Sequence, residues 1–165
     1  TSEIDQNRDN ITNTLEAVHE LKIPAVWFWP NIDAGTDEIS KGIRRFREQH
    51  NPEHVYFVKN LPPEEFIALL QGSLCLVGNS SSGIKECSYL GVPVVNIGSR
   101  QDGRMRTKNV VDTGYDKNVI KRAIEHQVKR KKYKPSNVYF QKDTSEKIAS
   151  TLASVKLYTQ KQFKD

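Results

Sequence analysis

The chain has 165 residues, of which 36% are hydrophobic and 27% charged, and its formal net charge is +5. This length and composition predict a single domain with a core of its own and exclude a chain too polar to fold. No apolar run approaches the length of a membrane span, and no signal peptide is recognisable at the N-terminus, so we expect a cytoplasmic protein without a membrane partner.

Both cysteines fall within predicted apolar faces. Cys75 lies on a predicted strand and Cys87 on the helix that follows it, without CxxC spacing. We therefore expect two buried, reduced thiols, which also suits the cytoplasm.

The positive charge is concentrated in the last third of the chain. Residues 117–165 contain 13 Lys and Arg against 4 Asp and Glu, and Lys129–Lys132 with Lys134 is the densest part. One interpretation is a nucleic-acid patch. The other is a solvated helix end followed by a loop, since cations are favoured at helix C-termini. No interleaved aromatic residues or RNA-binding motif support the first, so the sequence favours the second.

The first half of the chain predicts helices and strands in alternation. Apolar residues recur at helical spacing in the first segment, and Pro24 separates it from an apolar run. Thr36 is a predicted helix cap, and Pro63 suits a first helical position. The predicted elements are a helix over Ser2–Lys22 capped by Ser2, a strand over Ala25–Trp29, a helix over Asp37–Gln49, a strand over Val55–Val58 and a helix over Glu64–Gln71.

The second half continues this alternation. Its centre is a strand, a turn of small polar residues, a short helix and a second strand, and a loop with three arginines follows. In order, the predicted elements are Leu74–Val77 (strand), Gly78–Gly83 (turn), Ile84–Leu90 (helix), Val92–Ile97 (strand), Gly98–Arg106 (loop), Asn109–Val111 (strand), Asn118–Lys131 (helix), Ser145–Leu157 (helix on Ile148, Leu152 and Val155) and Tyr158–Asp165 (polar tail).

Continuous apolar strands that alternate with helices predict an α/β fold with a parallel sheet covered on both faces. Ligands of such sheets bind beyond the carboxyl ends of the strands. Polar groups follow four of the predicted strands, at Asn31, Lys59–Leu61, Asn79–Gly83 and Ser99–Arg104. We expect these four groups to meet at one edge of the sheet.

The turn at Gly78–Gly83 predicts an anion site, because the start of a helix presents free N–H groups and the positive end of its dipole. The turn has neither GxGxxG nor P-loop spacing, so the sequence predicts neither a dinucleotide cofactor nor Mg-dependent NTP hydrolysis. Ser80 and Ser81 can donate to phosphate oxygens, and the Arg100 guanidinium fits phosphate geometry. Glu86 can accept hydrogen bonds from a ribose diol. The alternatives are a serine that only caps the helix and a solvated glutamate.

No catalytic set can be nominated from the residues. The four histidines show no metal-ligand spacing, so we expect surface or packing roles for them and neither a metal site nor a cofactor. They are His19, His50, His54 and His126.

Several segments together resemble the hydrolysing UDP-N-acetylglucosamine 2-epimerases. They are PNIDAG at 30–35, GNSSSG at 78–83 with Glu86 after it, GVPVVNIGSRQDGR at 91–104 and NV at 109–110. The resemblance runs in order from about Thr1 to the final helix. The related non-hydrolysing epimerases carry a DSGG-type turn and a TERPE-like segment, where this chain has NSSSG and SRQDGR.

The resemblance implies the C-terminal half of a GT-B-type architecture, in which two Rossmann-like domains enclose the active site. It implies one UDP-binding domain over residues 1–165, with the catalytic residues in an N-terminal domain that precedes Thr1 and none in this chain. The UDP-binding residues it implies are Asn31, Leu61 (through its backbone), Ser80, Ser81, Glu86 and Arg100. The reaction eliminates UDP from the UDP-sugar and then hydrates the glycal to the free 2-epimer, in sialic-acid-type sugar synthesis.

Two other functions stay open at this point. The first is the donor-binding half of a GT-B glycosyltransferase, where a phosphate turn and a ribose glutamate also occur. The second is a non-enzymatic nucleotide- or nucleic-acid-binding module, favoured only by the basic last third. The sequence leaves open which N-acyl sugar is used and whether the protein forms a homo-oligomer.

Overall fold

A computed structural model describes residues 7–31 and 36–156. Its helices are α1 (Asn7–Glu20), α2 (Thr36–His50), α3 (Pro63–Gly72), α4 (Ser81–Ile84), α5 (Glu86–Leu90), α6 (Lys117–Arg130) and α7 (Thr144–Ser154). Its strands are β1 (Ala25–Phe28), β2 (Val55–Val58), β3 (Leu76–Gly78), β4 (Val94–Ile97) and β5 (Val110–Thr113). None of the helices in these residues combines the length and the hydropathy needed to cross a bilayer.

All strand pairs are parallel, and they form two hydrogen-bonded sheets. One consists of β1 and β2, with Ala25 opposite Val55 at one end and Phe28 opposite Val58 at the other. The other places β4 between β3 and β5. Helical segments connect successive strands along most of the chain, as parallel pairing requires. The predicted α/β, Rossmann-like class is therefore confirmed, but the single sheet expected from the sequence is present as two, so the four polar groups follow strands of two different sheets.

Helices cover both faces of the three-stranded sheet, because successive side chains of β4 point in opposite directions. Val95 and Ile97 belong to one cluster, whose other buried members come from α1 and α6: Ala17, Ile120 and Ile124. Val94 belongs to the opposite cluster, with Val92, Leu70 of α3 and Cys87 of α5. Burial of one such aliphatic side chain contributes roughly 1.5–3 kcal/mol, so these two layers hold the sheet in place.

Helix α1 packs against both sheets. Ala17 on one side of this helix lies in the cluster under β4. Leu15 joins a third cluster with Ile43 and Phe46 of α2, and partly buried Trp27 and Phe57 extend that cluster to β1 and β2. Glu20, at the end of α1, binds Lys117 and Lys121 of α6 at 2.7 and 3.0 Å. The two sheets are thus connected through one shared helix.

The predicted bounds of β2 are confirmed, whereas many other predicted element ends differ from the observed ones by one to three residues, for physical reasons. Leu74 is 52% exposed, and β3 begins only at Leu76, whose N–H donates to Pro93 O where pairing with β4 starts. The predicted helix start at Ile84 is wrong, because Ser80 caps a helix that begins at Ser81. Thr36 is the first residue of α2, and its hydroxyl donates to Asn31 O at 2.8 Å.

Several predictions fall outside the described residues. These are the helix start at Ser2, the loop residues 32–35, Leu157 and the polar tail at 158–165. The predicted final helix is present as α7, but none of its residues is buried, and its apolar side chains Ile148 and Leu152 are 54% and 65% exposed.

Gly83 sets the distance between α4 and the sheet. A Cβ at this position would lie 2.9 Å from Val94 Cγ1 and 3.2 Å from Leu76 Cδ2. Both neighbours are buried or half-buried in the same layer, so neither can move aside freely. The sequence suggested a turn residue here, whereas the structure uses glycine for close helix–sheet contact.

We expect Gly83→Ala to destabilise the chain by about 1–3 kcal/mol, the usual cost of overpacking. Gly72→Ala is the matched control, since it also adds one methyl group to a helix but meets nothing within 4 Å. Urea unfolding followed by circular dichroism measures both. Equal stabilities for the two variants would contradict the close-contact role.

Three of the four histidines form a cluster at the end of α1, which the sequence did not predict. The His19 ring stacks on His54 at 5.0 Å and lies 5.1 Å from His50, whose Nε2 is 3.0 Å from Glu16 Oε1. Burial, followed by the Lys22 ammonium and the other two imidazoles, lowers the pKa of His19 below 6.5. In the described residues, no group of three or more His, Cys, Asp or Glu side chains has a metal-binding arrangement.

This cluster predicts a loss of stability on mild acidification. The pKa of His19 is lower in the folded chain than in the unfolded one, so the unfolded state takes up the proton first. Stability should therefore be highest above pH 6.5 and should fall as the pH drops from there towards the folded pKa. Urea midpoints between pH 8 and 5.5 test this: His19→Phe should flatten the dependence, whereas a change at exposed His126 (His126→Gln) should not. A wild-type midpoint constant over this range would contradict it.

Candidate functional site

The turn after β3 is shaped to begin a helix. Gly78 has φ of 135°, which L side chains rarely adopt. Ser80 follows with extended backbone, and its Oγ accepts a hydrogen bond from Ser82 N–H at 3.3 Å. Ser80 is therefore the N-cap of α4, as one of the two sequence interpretations required. Its exposed side chain and the half-buried Ser81 lie where the N–H groups of α4 begin, which is a favourable place for an anion.

Glu86 begins α5, just after Lys85 separates it from α4. The residue is half-buried, and its Oε2 is buried without a hydrogen-bond partner among the described residues. Leaving a buried acceptor unpaired costs about 1–3 kcal/mol, so a ligand that donates a hydrogen bond here would be favoured. This burial disfavours the alternative of a solvated helix residue. Two neighbouring hydroxyl groups, such as those of a ribose, could donate hydrogen bonds to this carboxylate.

The loop after β4 carries Arg100 and is held by Arg106. Arg100 is exposed. Arg106 donates through Nε to the Asp112 carboxylate at 3.1 Å and through Nη1 to the carbonyls of Gln101 and Arg104 at 2.9 and 2.7 Å. These bonds fix the path of the loop around Arg106, on which the position of Arg100 depends.

Gln101 connects this loop to the turn after β3. Its side chain is 3% exposed, and its Nε2 donates to Asn79 O at 2.7 Å. The neighbours of these two residues are Arg100 and Ser80. This bond therefore holds the backbone next to Ser80 and the backbone next to Arg100 at the ends of β3 and β4.

Asn31 and Leu61 follow the other sheet. Asn31 lies beyond β1, is exposed, and accepts the Thr36 hydroxyl through its carbonyl. The N–H of Leu61, beyond β2, donates to Asn60 Oδ1 at 2.9 Å. A backbone contact from Leu61 to a base would therefore use its carbonyl, or require the Asn60 side chain to turn away. Binding roles for Asn31 and Leu61 stay predictions.

Sequence reasoning missed two polar residues inside strands. Asn96 of β4 is 1% exposed and donates through Nδ2 to Asp112 of β5 at 2.7 Å, while its Oδ1 is buried without a partner among the described residues. A polar residue in each of two largely apolar strands was the sequence feature that could have indicated this pair. Together with Arg106 they connect the end of the sheet to the loop over Gly98–Arg106, which we call the arginine loop.

Burial suppresses the ionisation of both thiols. Burial raises the pKa of Cys75 and of Cys87 to about 12, with the charge of Glu86 adding to the effect on Cys87. Both cysteines are unpaired, Cys87 fully buried and Cys75 half-buried. A thiol held protonated is a poor nucleophile, so neither is suited to covalent chemistry.

Part of the basic last third has structural contacts. Lys132 Nζ donates to Gln71 O and Ser73 O at the end of α3, at 2.9 and 3.2 Å. The Arg130 guanidinium lies over the Tyr133 ring at 5.4 Å. These contacts fit the interpretation of a helix end followed by an ordered loop.

Residues 1–153 match the UDP-N-acetylglucosamine 2-epimerase family. The chain belongs to this family. One relative is a Legionella pneumophila protein named UDP-N,N'-diacetylbacillosamine 2-epimerase (hydrolyzing). The two are 32% identical over 158 residues, which are 96% of this chain and 41% of that protein. This chain is 33% identical over 118 residues to the Escherichia coli polysialic acid biosynthesis protein P7, covering 70% and 29%.

A third relative is the UDP-N-acetylglucosamine 2-epimerase of Neisseria meningitidis, 30% identical over 116 residues, which are 70% of this chain and 30% of that protein. The chain thus spans well under half the length of these epimerase-family relatives. Identities near 30% support the family and leave the individual substrate open.

Glu86→Ala should weaken UDP binding about tenfold or more, if Glu86 binds the ribose diol. A hydrogen bond to a charged group contributes roughly 1.5–3 kcal/mol, which corresponds to that loss. Inorganic pyrophosphate, which has no diol, should bind Glu86→Ala as it binds wild type. Calorimetry measures both ligands, with Glu64→Ala at an exposed helical position as the matched control. Equal losses for both ligands would remove Glu86 from the ribose.

Proposed function

We propose that this chain is the UDP-binding part of a hydrolysing UDP-sugar 2-epimerase. The observation that carries the proposal is the pairing of a capped helix start at Ser80 with the buried Glu86 Oε2, six residues further on, which has no hydrogen-bond partner among the described residues. The first suits phosphate and the second suits the ribose diol, and the two occur in that order along a nucleotide. Membership of the epimerase family supports the same conclusion.

In this proposal the chain holds the leaving group. The epimerase eliminates UDP from the sugar, leaving a glycal, and water then adds to give the free 2-epimer. Negative charge accumulates on the diphosphate as the glycosidic bond breaks. The N–H groups at Ser80 and Ser81, with the Arg100 guanidinium, would stabilise that charge and so lower the barrier.

The proposed substrate class is a UDP-N-acyl-amino sugar. Two relatives are named for diacetylbacillosamine, one for N-acetylglucosamine and one for polysialic acid biosynthesis. The acid–base residues would lie in the part of the longer protein that this chain does not include, which would also contact the sugar. We further propose that the chain acts in the cytoplasm.

The chain should therefore bind UDP without converting UDP-N-acetylglucosamine. Calorimetry should show saturable UDP binding that is tighter than binding of ADP, which shares the ribose and the diphosphate but not the base. NMR of UDP-N-acetylglucosamine with the chain should show no release of UDP over hours.

Two results would contradict this proposal in different ways. Failure to bind UDP would remove the nucleotide site. Release of UDP together with a free 2-epimer sugar would show that the chain carries its own catalytic groups.

A further inference from the structure

We propose that Gln101 is a positioning residue that sets the spacing between the arginine loop and the turn after β3, so that both contact one diphosphate. This inference rests on the proposed function, because it concerns how the same site is assembled.

Gln101 is anchored at two points. Its side-chain amide donates to Asn79 O at 2.7 Å, 22 residues away in the sequence. Its own carbonyl accepts from Arg106 Nη1 at 2.9 Å. The residue therefore joins the turn that precedes Ser80 to the loop that contains Arg100.

The second anchor continues into the sheet. Arg106 Nε binds both carboxylate oxygens of Asp112 at 3.2 and 3.1 Å, and Asp112 Oδ1 accepts from Asn96 Nδ2 at 2.7 Å. Asn96 and Asp112 are register partners on β4 and β5. These bonds fix the position of the arginine loop relative to β4, the central strand of the sheet. Gln101 then fixes the turn after β3 relative to that loop.

A second buried glutamine shows what a purely structural role looks like. Gln127 is fully buried, donates to Val94 O and Asn109 O at 2.8 and 2.9 Å, and accepts from Tyr133 Oη at 2.7 Å. Both Nε2 and Oε1 of Gln127 therefore have hydrogen-bond partners.

In Gln101, by contrast, Nε2 has a hydrogen-bond partner but Oε1 has none among the described residues. Burying Oε1 in this way costs folding free energy. An apolar side chain of similar size would avoid that cost, but it could not hold Asn79 O. The glutamine thus reaches the turn through Nε2 while its Oε1 stays buried without a partner among the described residues.

The spacing matters because phosphate recognition is directional. Ser80 and Arg100 are each one residue away from the bond between Asn79 and Gln101. Without that bond, loop and turn can separate, and a displacement of about 1 Å is enough to weaken a positioned contact strongly. The affinity for uridine, which has no phosphate, should not depend on this separation.

The test compares Gln101→Met with Gln127→Met. Each replaces a buried amide by an apolar side chain of similar length, one beside the site and one away from it. Affinities for UDP and for uridine are measured by ligand-observed NMR well below the melting temperatures, which are recorded by circular dichroism. For Gln101→Met we expect UDP to weaken about tenfold and uridine by less than twofold. For Gln127→Met we expect a lower melting temperature and unchanged affinity for both ligands.

The wild-type titration separates the two proposals. If wild type does not bind UDP, the proposed function fails. If wild type binds UDP and Gln101→Met binds it equally well, or loses UDP and uridine in parallel, the positioning role is overturned while the UDP site stands. Should Gln101→Met not fold, Arg106→Lys loosens the other anchor while keeping the charge. It should weaken UDP about threefold and leave uridine unchanged, and equal effects on both ligands would overturn the inference.

Discussion

The fold depends on the complete burial of strand β4. Every residue from Val94 to Ile97 is buried, because β4 lies between two parallel strands and between two layers of helices. A polar side chain in such a strand needs a partner, and Asn96 finds one in Asp112 of the neighbouring strand. That requirement places a carboxylate at the end of the sheet, and the carboxylate in turn holds Arg106 and the loop around it. The arrangement of the candidate site thus begins with the chemistry of a buried strand.

The sequence was sufficient for the class of fold and for the order of its elements. Continuous apolar runs identified the strands, and Pro63 identified the start of α3. Element ends were less accurate because they depend on pairing and capping: Leu74 is apolar yet lies before the first ladder bond. Gly83 was misinterpreted because a glycine between serines fits a turn as well as a close helix–sheet contact, and only Val94 opposite distinguishes the two.

The site could be predicted in part. The turn, its capping serine and the following glutamate are close in sequence, so local rules found them. The bond from Gln101 to Asn79 spans 22 residues, and the imidazole cluster gathers His19, His50 and His54 from three separate segments. No sequence spacing reveals such contacts, because they depend on how the parallel connections return each strand to the same end of the sheet. The roles of Asn31 and Leu61 rest on the family resemblance.

Helix α1 has a consequence for how this chain folds. Its contacts with α6 join residues far apart in the sequence, such as Glu20 and Lys121, which are 101 positions apart. Loop-closure entropy must be overcome before such contacts form, so they slow folding. As the chain leaves the ribosome, the face of α1 that carries Ala17 lacks the other buried members of its cluster until β4 and then α6 are made. Apolar surface that is exposed during synthesis in this way favours aggregation or capture by a chaperone.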